Sequence, residues 1–256
     1  MNQHTKPATS TAWADLIPDQ KGSLPSGEPV WRTEPAGPSN APAAFLGVYP
    51  AGQVRRSTVG GVTMNLPFQV ERTSFESISK SGKDLDSGYL NPLGLQRASV
   101  FLFDLLPYFL ANTRGSGGKT MWRNIQRYEE LTQRKLGVEP RPDPRRLPDV
   151  ARQMPGNVAR LTDYMNRARP RVLFTLGAEV AAFVRGESYQ SVNKRAKSLF
   201  YSAPVSLTVL GFETTVVHLG HPGLLMSGDP KAEEWRRLHD AWCAGPGVAL
   251  AARLAA

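Results

Sequence analysis

The chain has 256 residues, of which 41% are hydrophobic, and a formal net charge of +9. That size allows one sizeable domain with tails, and that charge points to a polyanionic partner, nucleic acid first. A single cysteine, Cys243, excludes an internal disulfide and any four-cysteine zinc or iron–sulfur site. No apolar run approaches the roughly 18 residues of a membrane span, and the N-terminus shows no basic-then-apolar leader pattern. The expectation is a monomeric cytoplasmic protein with no membrane partner.

Residues 1–42 are rich in Pro, Ser, Gly and Thr and read as an extended or partly disordered arm, with Trp13, Leu16 and Ile17 as an apolar docking cluster. Residues 43–244 read as the folded domain and 245–256 as a tail. Within the domain, four apolar runs of strand type end in turn residues: AAFLGVYPAG, ASVFLFDLLP, PRVLFTLG and ETTVVHLGHPG. Between them, helical periodicity appears in MWRNIQRYEELTQRKLG, with Trp122, Ile125, Tyr128 and Leu131 near one face. NVARLTDYMNRA repeats the pattern with Val158, Leu161, Tyr164 and Met165, and AEVAAFVRG and KAEEWRRLHDAW add two more helices. Residues 134–156, basic and proline-rich, read as a long irregular loop with DNA contact as its functional alternative. Strands alternating with helices predict an α/β fold: a three-layer α/β/α sandwich on a central, mainly parallel four-stranded sheet. Ligands of such sheets bind beyond the carboxyl ends of the strands.

GSGGKT at 115–120 falls short of a phosphate loop, because Thr113 stands where the first glycine is required. A flexible glycine turn that brings Lys119 to DNA phosphates is the better reading. HLGH spaces His218 and His221 three apart, too few ligands for a metal site. His218 lies inside a strand run and reads as a packed core histidine. His221 lies beyond the strand end, facing the same crevice as Asp104, where the two form a candidate acid/base or electrostatic pair. An acid ending the run FLFD is costly to bury unless something pairs with it.

Taken in order, GVYPAG, LPFQVER, SVFLFDLLP, ARPRVLFTLGAEVAAFV and HPGLLM resemble the motifs of the uracil-DNA glycosylase superfamily over roughly residues 43–242. The resemblance implies a monofunctional DNA glycosylase with no cofactor and no metal, its pocket formed by Gly47, Val48, Tyr49, Pro50, Ala51, Phe68 and Asp104. Phe68 would stack on the extruded base, and His221 would stabilise negative charge on the base O2. Pro222, Gly223, Leu224 and Leu225 would form the DNA-entering loop, with both leucines as wedges, and Lys119 and Arg55 would be further DNA contacts.

Three departures from the family pattern carry the specificity. Val48 and Tyr49 stand where the family places a water-activating carboxylate or amide, leaving main-chain groups there to position water and Glu71 as a reserve base. Ala51 replaces a tyrosine that crowds carbon 5 of the pyrimidine, and Asp104 replaces the asparagine that reads uracil. An ionised aspartate offers only acceptors, which suits the N4 amino group of cytosine. The reading is excision of a 5-substituted cytosine, such as the glucosylated hydroxymethyl base of some phage DNA, in the manner of antiviral members of the superfamily. An atypical uracil or deaminated-base glycosylase, and an inactive DNA-binding module of the same fold, are the alternatives.

Overall fold

The computed structural model describes residues 13–113, 115–225 and 230–255. The first twelve residues of the predicted arm lie outside them. The rest of the arm is packed: Trp13 and Ile17 are buried in the main core, and β1 (Gln20–Ser23) and β2 (Pro29–Trp31) form a short antiparallel hairpin. The chain then enters β3 (Ala43–Gly47) and a second, longer antiparallel hairpin, β4 (Gly52–Val59) and β5 (Val62–Val70). β6 (Val100–Asp104) follows, then a two-residue parallel pair, β7 (Leu110–Ala111) and β8 (Glu139–Pro140). β9 (Val172–Leu176), β10 (Val205–Val209) and β11 (Phe212–Leu219) complete the strands.

The central sheet has the order β10-β11-β9-β3-β6, parallel except for β10, which runs antiparallel to β11. Five strands replace the expected four. β10 reaches β11 through Leu210 and Gly211, both at positive φ (53° and 81°), the two-residue turn whose twist suits a hairpin. The β4–β5 hairpin turns the same way on Gly60 and Gly61, with φ of 55° and 76°.

Side chains of the parallel strands alternate between two cores, as the period of two requires. Ala44, Leu46, Phe101 and Phe103 face one cluster, which includes Leu161, Tyr164 and Met165 of the helix Asn157–Ala168 and Val180 and Phe183 of the helix Ala178–Arg185. Phe45, Leu102, Phe174 and Val217 face the other, closed by Leu85, Tyr89, Trp242 and Leu250. The fold is therefore α/β, with helices on both faces of a mostly parallel sheet.

The four predicted helices are present, although Val158 and Leu131 of their apolar faces stand exposed. Three segments differ from expectation. Residues 115–120 are the opening turns of the helix Gly115–Thr132 rather than a free glycine turn. The stretch 134–156 carries β8 and the helix Leu147–Gln153, whose Leu147 and Ala151 enter the core. The C-terminal tail is the helix Val248–Ala255, with Leu250, Ala251 and Leu254 buried. Among the described residues no helix is long and apolar enough to cross a membrane.

Candidate active site at the strand carboxyl ends

Because β3, β6, β9 and β11 are parallel, Gly47, Asp104, Gly177 and Gly220 all come to one edge of the sheet. The ladder continues past the strand ends, with Leu105 N–H donating to Gly47 O and Leu106 N–H to Val48 O, both at 2.9 Å. This fixes Asp104 directly beside Gly47. A Cβ on Gly47 would lie 2.5 Å from Asp104 Oδ1 and 2.4 Å from Phe75 Cζ, so only glycine lets the carboxyl and the ring approach so closely.

Asp104 is 3% exposed, and its Oδ2 has no hydrogen-bond partner in the protein. Burial, reinforced by the negative charge of Glu71, pushes its pKa up to about 8, against the opposing pull of the Ser74 hydroxyl and Arg160. The carboxyl is therefore mostly protonated at pH 7 and offers one donor as well as an acceptor. This overturns the premise of an acceptor-only, ionised Asp104.

Glu71, 4% exposed, follows the end of β5 and is laced to the first motif. Its Oε2 accepts from Ala51 N–H at 2.6 Å, its own N–H donates to Ala51 O at 3.0 Å, and its Oε1 accepts from Ser81 Oγ at 2.6 Å. Burial raises its pKa too, but the hydroxyls of Ser79 and Ser81 and the Ala51 N–H offset part of the rise. The two carboxyls are unequally placed: Glu71 has a donor on each oxygen, and its negative charge bears on Asp104.

From the core side, Arg160 and Asn157 hold the end of β6. Arg160 is buried, and its guanidinium donates to the carbonyls of Asp104 (2.9 Å) and Leu105 (3.0 Å) and to Asn157 Oδ1 (3.0 Å). Asn157 Nδ2 donates to Leu105 O at 3.1 Å. Burial lowers the Arg160 pKa below its ordinary value, with Tyr164, Asp104 and Glu34 opposing. The arginine orients the Asp104 main chain, not its carboxyl.

On the opposite side, Tyr89 Oη donates to Gly220 O at 2.6 Å, and Gly220 N–H donates to Tyr201 Oη at 3.2 Å. The two tyrosines clamp both main-chain groups of the residue before His221. Gly223 N–H donates to His221 Nδ1 at 3.1 Å, which leaves Nε2 as the ring's N–H donor. Water reaches the His221 ring, yet protein crowds it. That surrounding, with the Arg141 charge, pushes its pKa well below 6.5, and the imidazole is neutral at pH 7.

Asp104 and His221 do not meet as a pair. β3 and β9 lie between β6 and β11, three strand spacings or about 14 Å between axes. One helix links the two sides of the gap. In Lys80–Leu85, Ser81 bonds Glu71, while Asp84 Oδ2 would lie 3.5 Å from a Cβ on Gly223, beside His221. A third cluster borders the gap: the Arg141 guanidinium lies 5.4 Å from the Tyr49 ring centre and pairs with Glu179 at 3.3 Å. Burial raises the Tyr49 pKa against the Arg141 charge, so the phenol stays neutral.

The remaining candidate residues divide. Val48 and Pro50 are buried, while Ala51 and Tyr49 are partly exposed. The ring against Gly47 and Asp104 is that of Phe75, not Phe68. Phe68 sits on the β4–β5 hairpin, and its ring is covered by the Arg55 guanidinium at 3.7 Å. Phe75 also has φ of 56°, a left-handed conformation that costs a bulky residue energy and persists where surrounding contacts enforce it. In the histidine loop Leu224 is 39% exposed, but Leu225 is 4% exposed and packs in the second core, so only Leu224 can act as a wedge; Pro222 is buried. The Lys119 side chain lies outside the described residues. His218 is a core histidine, its Nδ1 2.7 Å from Thr175 Oγ1. Among the described residues no cluster of three or more His, Cys, Asp or Glu could hold a metal.

Phe75, Ser74, Arg160, Asn157 and Arg141 escaped the sequence reading. The Ser-Phe dipeptide at 74–75, in a turn after an apolar strand, was the one local signal that could have found the ring. No protein-family model matches the chain, and no curated protein sequence matches it.

Proposed function

We propose that this chain is a DNA glycosylase of the uracil-DNA glycosylase type that excises a 5-substituted cytosine and leaves an abasic site. The observation that carries the reading is the buried, mostly protonated carboxyl of Asp104, whose Oδ2 has no partner in the protein. A buried polar atom without a partner costs about 1–3 kcal/mol. A bound base supplies the partner. The neutral carboxyl accepts from cytosine N4–H and donates to N3.

That proton matters for chemistry as well as recognition. Cytosine leaves poorly as an anion, and a proton delivered to N3 as the C1′–N1 bond breaks makes it a competent leaving group. Neutral His221, with Nε2–H free to donate, stabilises the charge growing on O2. Phe75 stacks on the base, Leu224 fills the space it vacates, and the +9 net charge supplies affinity for the phosphate backbone.

The protonated Asp104 also favours a second reading. Its hydroxyl can donate to uracil O4 while its carbonyl accepts from N3–H, so uracil excision is chemically open to the same pocket. Duplex oligonucleotides carrying one uracil, cytosine, 5-hydroxymethylcytosine or glucosylated 5-hydroxymethylcytosine separate the two, read by alkali-induced strand breaks and mass spectrometry of released bases. Release of a 5-substituted cytosine is expected. Release of uracil alone refutes the cytosine reading in favour of the second.

A further inference from the structure

We infer that Glu71 is the water-activating base of this site, working with Asp104 as its acid partner. The inference rests on the glycosylase reading above and supplies what the first motif lacks. Val48 is apolar and Tyr49 is committed to Arg141 and Glu179, so neither can take a proton from water. Glu71 comes from outside the motif, yet its carboxylate is tied to it. One main-chain bond runs from Glu71 N–H to Ala51 O, and Ala51 N–H donates to the side-chain Oε2.

The groups facing Glu71 come from each neighbouring element. Asp104 stands at the end of β6, Glu76 on the following turn, Ser79 and Ser81 at the start of the helix Lys80–Leu85, and Ala51 before β4. No cation pairs with the Glu71 carboxylate among these. The hydroxyls and the N–H favour its ionised form, and once ionised it holds the proton on Asp104. Glu71 receives a donor on each oxygen while Asp104 Oδ2 has none, and two carboxyls in such unlike surroundings are the arrangement that general acid and base work needs.

The step balances. Water oxygen bonds to C1′ while its proton passes to Glu71, and the C1′–N1 electron pair goes to the base as Asp104 protonates N3. Glu71 then holds the proton taken from water, and Asp104, having given its own to the base, is ionised. Transfer of the Glu71 proton to Asp104 resets the site, with no metal, oxidant or further reactant.

A merely structural Glu71 makes a different forecast. Glutamine keeps the bond to Ala51 N–H, and the Ser81 hydroxyl can turn to accept from the amide, so a brace survives Glu71→Gln while a base does not. With the duplex substrate that the wild-type chain cleaves, E71Q should lose on the order of 10²–10⁴ in kcat for base release, with duplex affinity and Tm little changed. A loss smaller than about 10²-fold overturns the assignment, because it falls short of what a lost general base costs. Ser81→Ala removes one bond that favours the ionised carboxylate, so the acid limb of its kcat–pH profile should move to higher pH. An unmoved limb overturns the inference, and this variant decides should E71Q fail to fold. If the wild-type chain releases no base from any of the four duplexes, the glycosylase reading falls and takes Glu71 with it. If wild type and E71Q both release base, only the Glu71 assignment falls.

Discussion

Replacing Asp104 with asparagine should stabilise the protein, and the gain should grow with pH. The folded carboxyl has its pKa raised from 3.8 to about 8, whereas the unfolded chain returns it to the ordinary value. Between those values the folded state holds a proton that the unfolded state has released, so stability is full below pH 4 and falls as pH rises toward 8. At pH 7 the difference spans about three decades of proton activity, each worth about 1.4 kcal/mol, which gives a ceiling of about 4 kcal/mol. Asparagine has the same shape, cannot ionise and still offers a donor and an acceptor. Urea denaturation of both proteins from pH 4.5 to 8.5 should show curves that diverge upward in favour of Asp104→Asn. In a chain of this size each 1 kcal/mol also moves Tm by about 2–4 °C. Parallel pH profiles for the two proteins would refute the buried, protonated carboxyl and with it the proton-donor role.

Further expectations are narrower. His221→Ala should cut base release by about 10²–10³-fold, and because the ring is neutral, no limb of the wild-type pH–rate profile between pH 6 and 8 should trace to it. The two loop leucines should separate cleanly: Leu225→Ala should cost about 2–5 kcal/mol of folding stability, while Leu224→Ala should leave stability unchanged and slow base release from duplex more than from single strands. Phe75→Ala, at a ring 5% exposed in the second core, should cost about 3–5 kcal/mol of folding stability and, in the folded fraction, weaken substrate binding by the 1–3 kcal/mol typical of a base stack, with Phe68→Ala well below that in the same binding assay.

The parallel core of the sheet was legible because its strands are nearly continuous apolar runs ending in Gly, Pro or Asp, a pattern set by burial on both faces. β10 was missed although Val205, Leu207 and Val209 alternate with polar residues and lead into a glycine turn. As an edge strand it is half exposed, and its apolar signal is weaker than that of the interior strands. The β4–β5 hairpin was missed for a related reason: Gly60-Gly61 marks its turn, but its exposed strands carry Arg55, Arg56, Thr58 and Thr63 rather than an apolar run. Phe68 lies on that hairpin, whereas the ring packed against Gly47 is that of Phe75.

Asp104 was legible as a residue but not as a proton state. Its pKa depends on Glu71, 33 positions earlier in the chain, and on burial by elements that no local pattern connects. Arg160 gave no signal for the same reason: on a helical wheel it reads as an ordinary exposed cation, and only the tertiary fold turns it into the core to hold the β6 carbonyls. His221 was placed correctly beyond the end of β11, but the burial of Leu225 depends on its packing into the second core, close to Gly88.

The most direct test of the central claim is mass spectrometry of the base released from a duplex with a single glucosylated 5-hydroxymethylcytosine, run with wild type and with Asp104→Ala. The account predicts that wild type frees the modified cytosine and leaves an alkali-labile abasic site, while the variant binds the duplex and releases nothing detectable. Release by the variant at the wild-type rate, or a wild type that frees no modified cytosine, would contradict it.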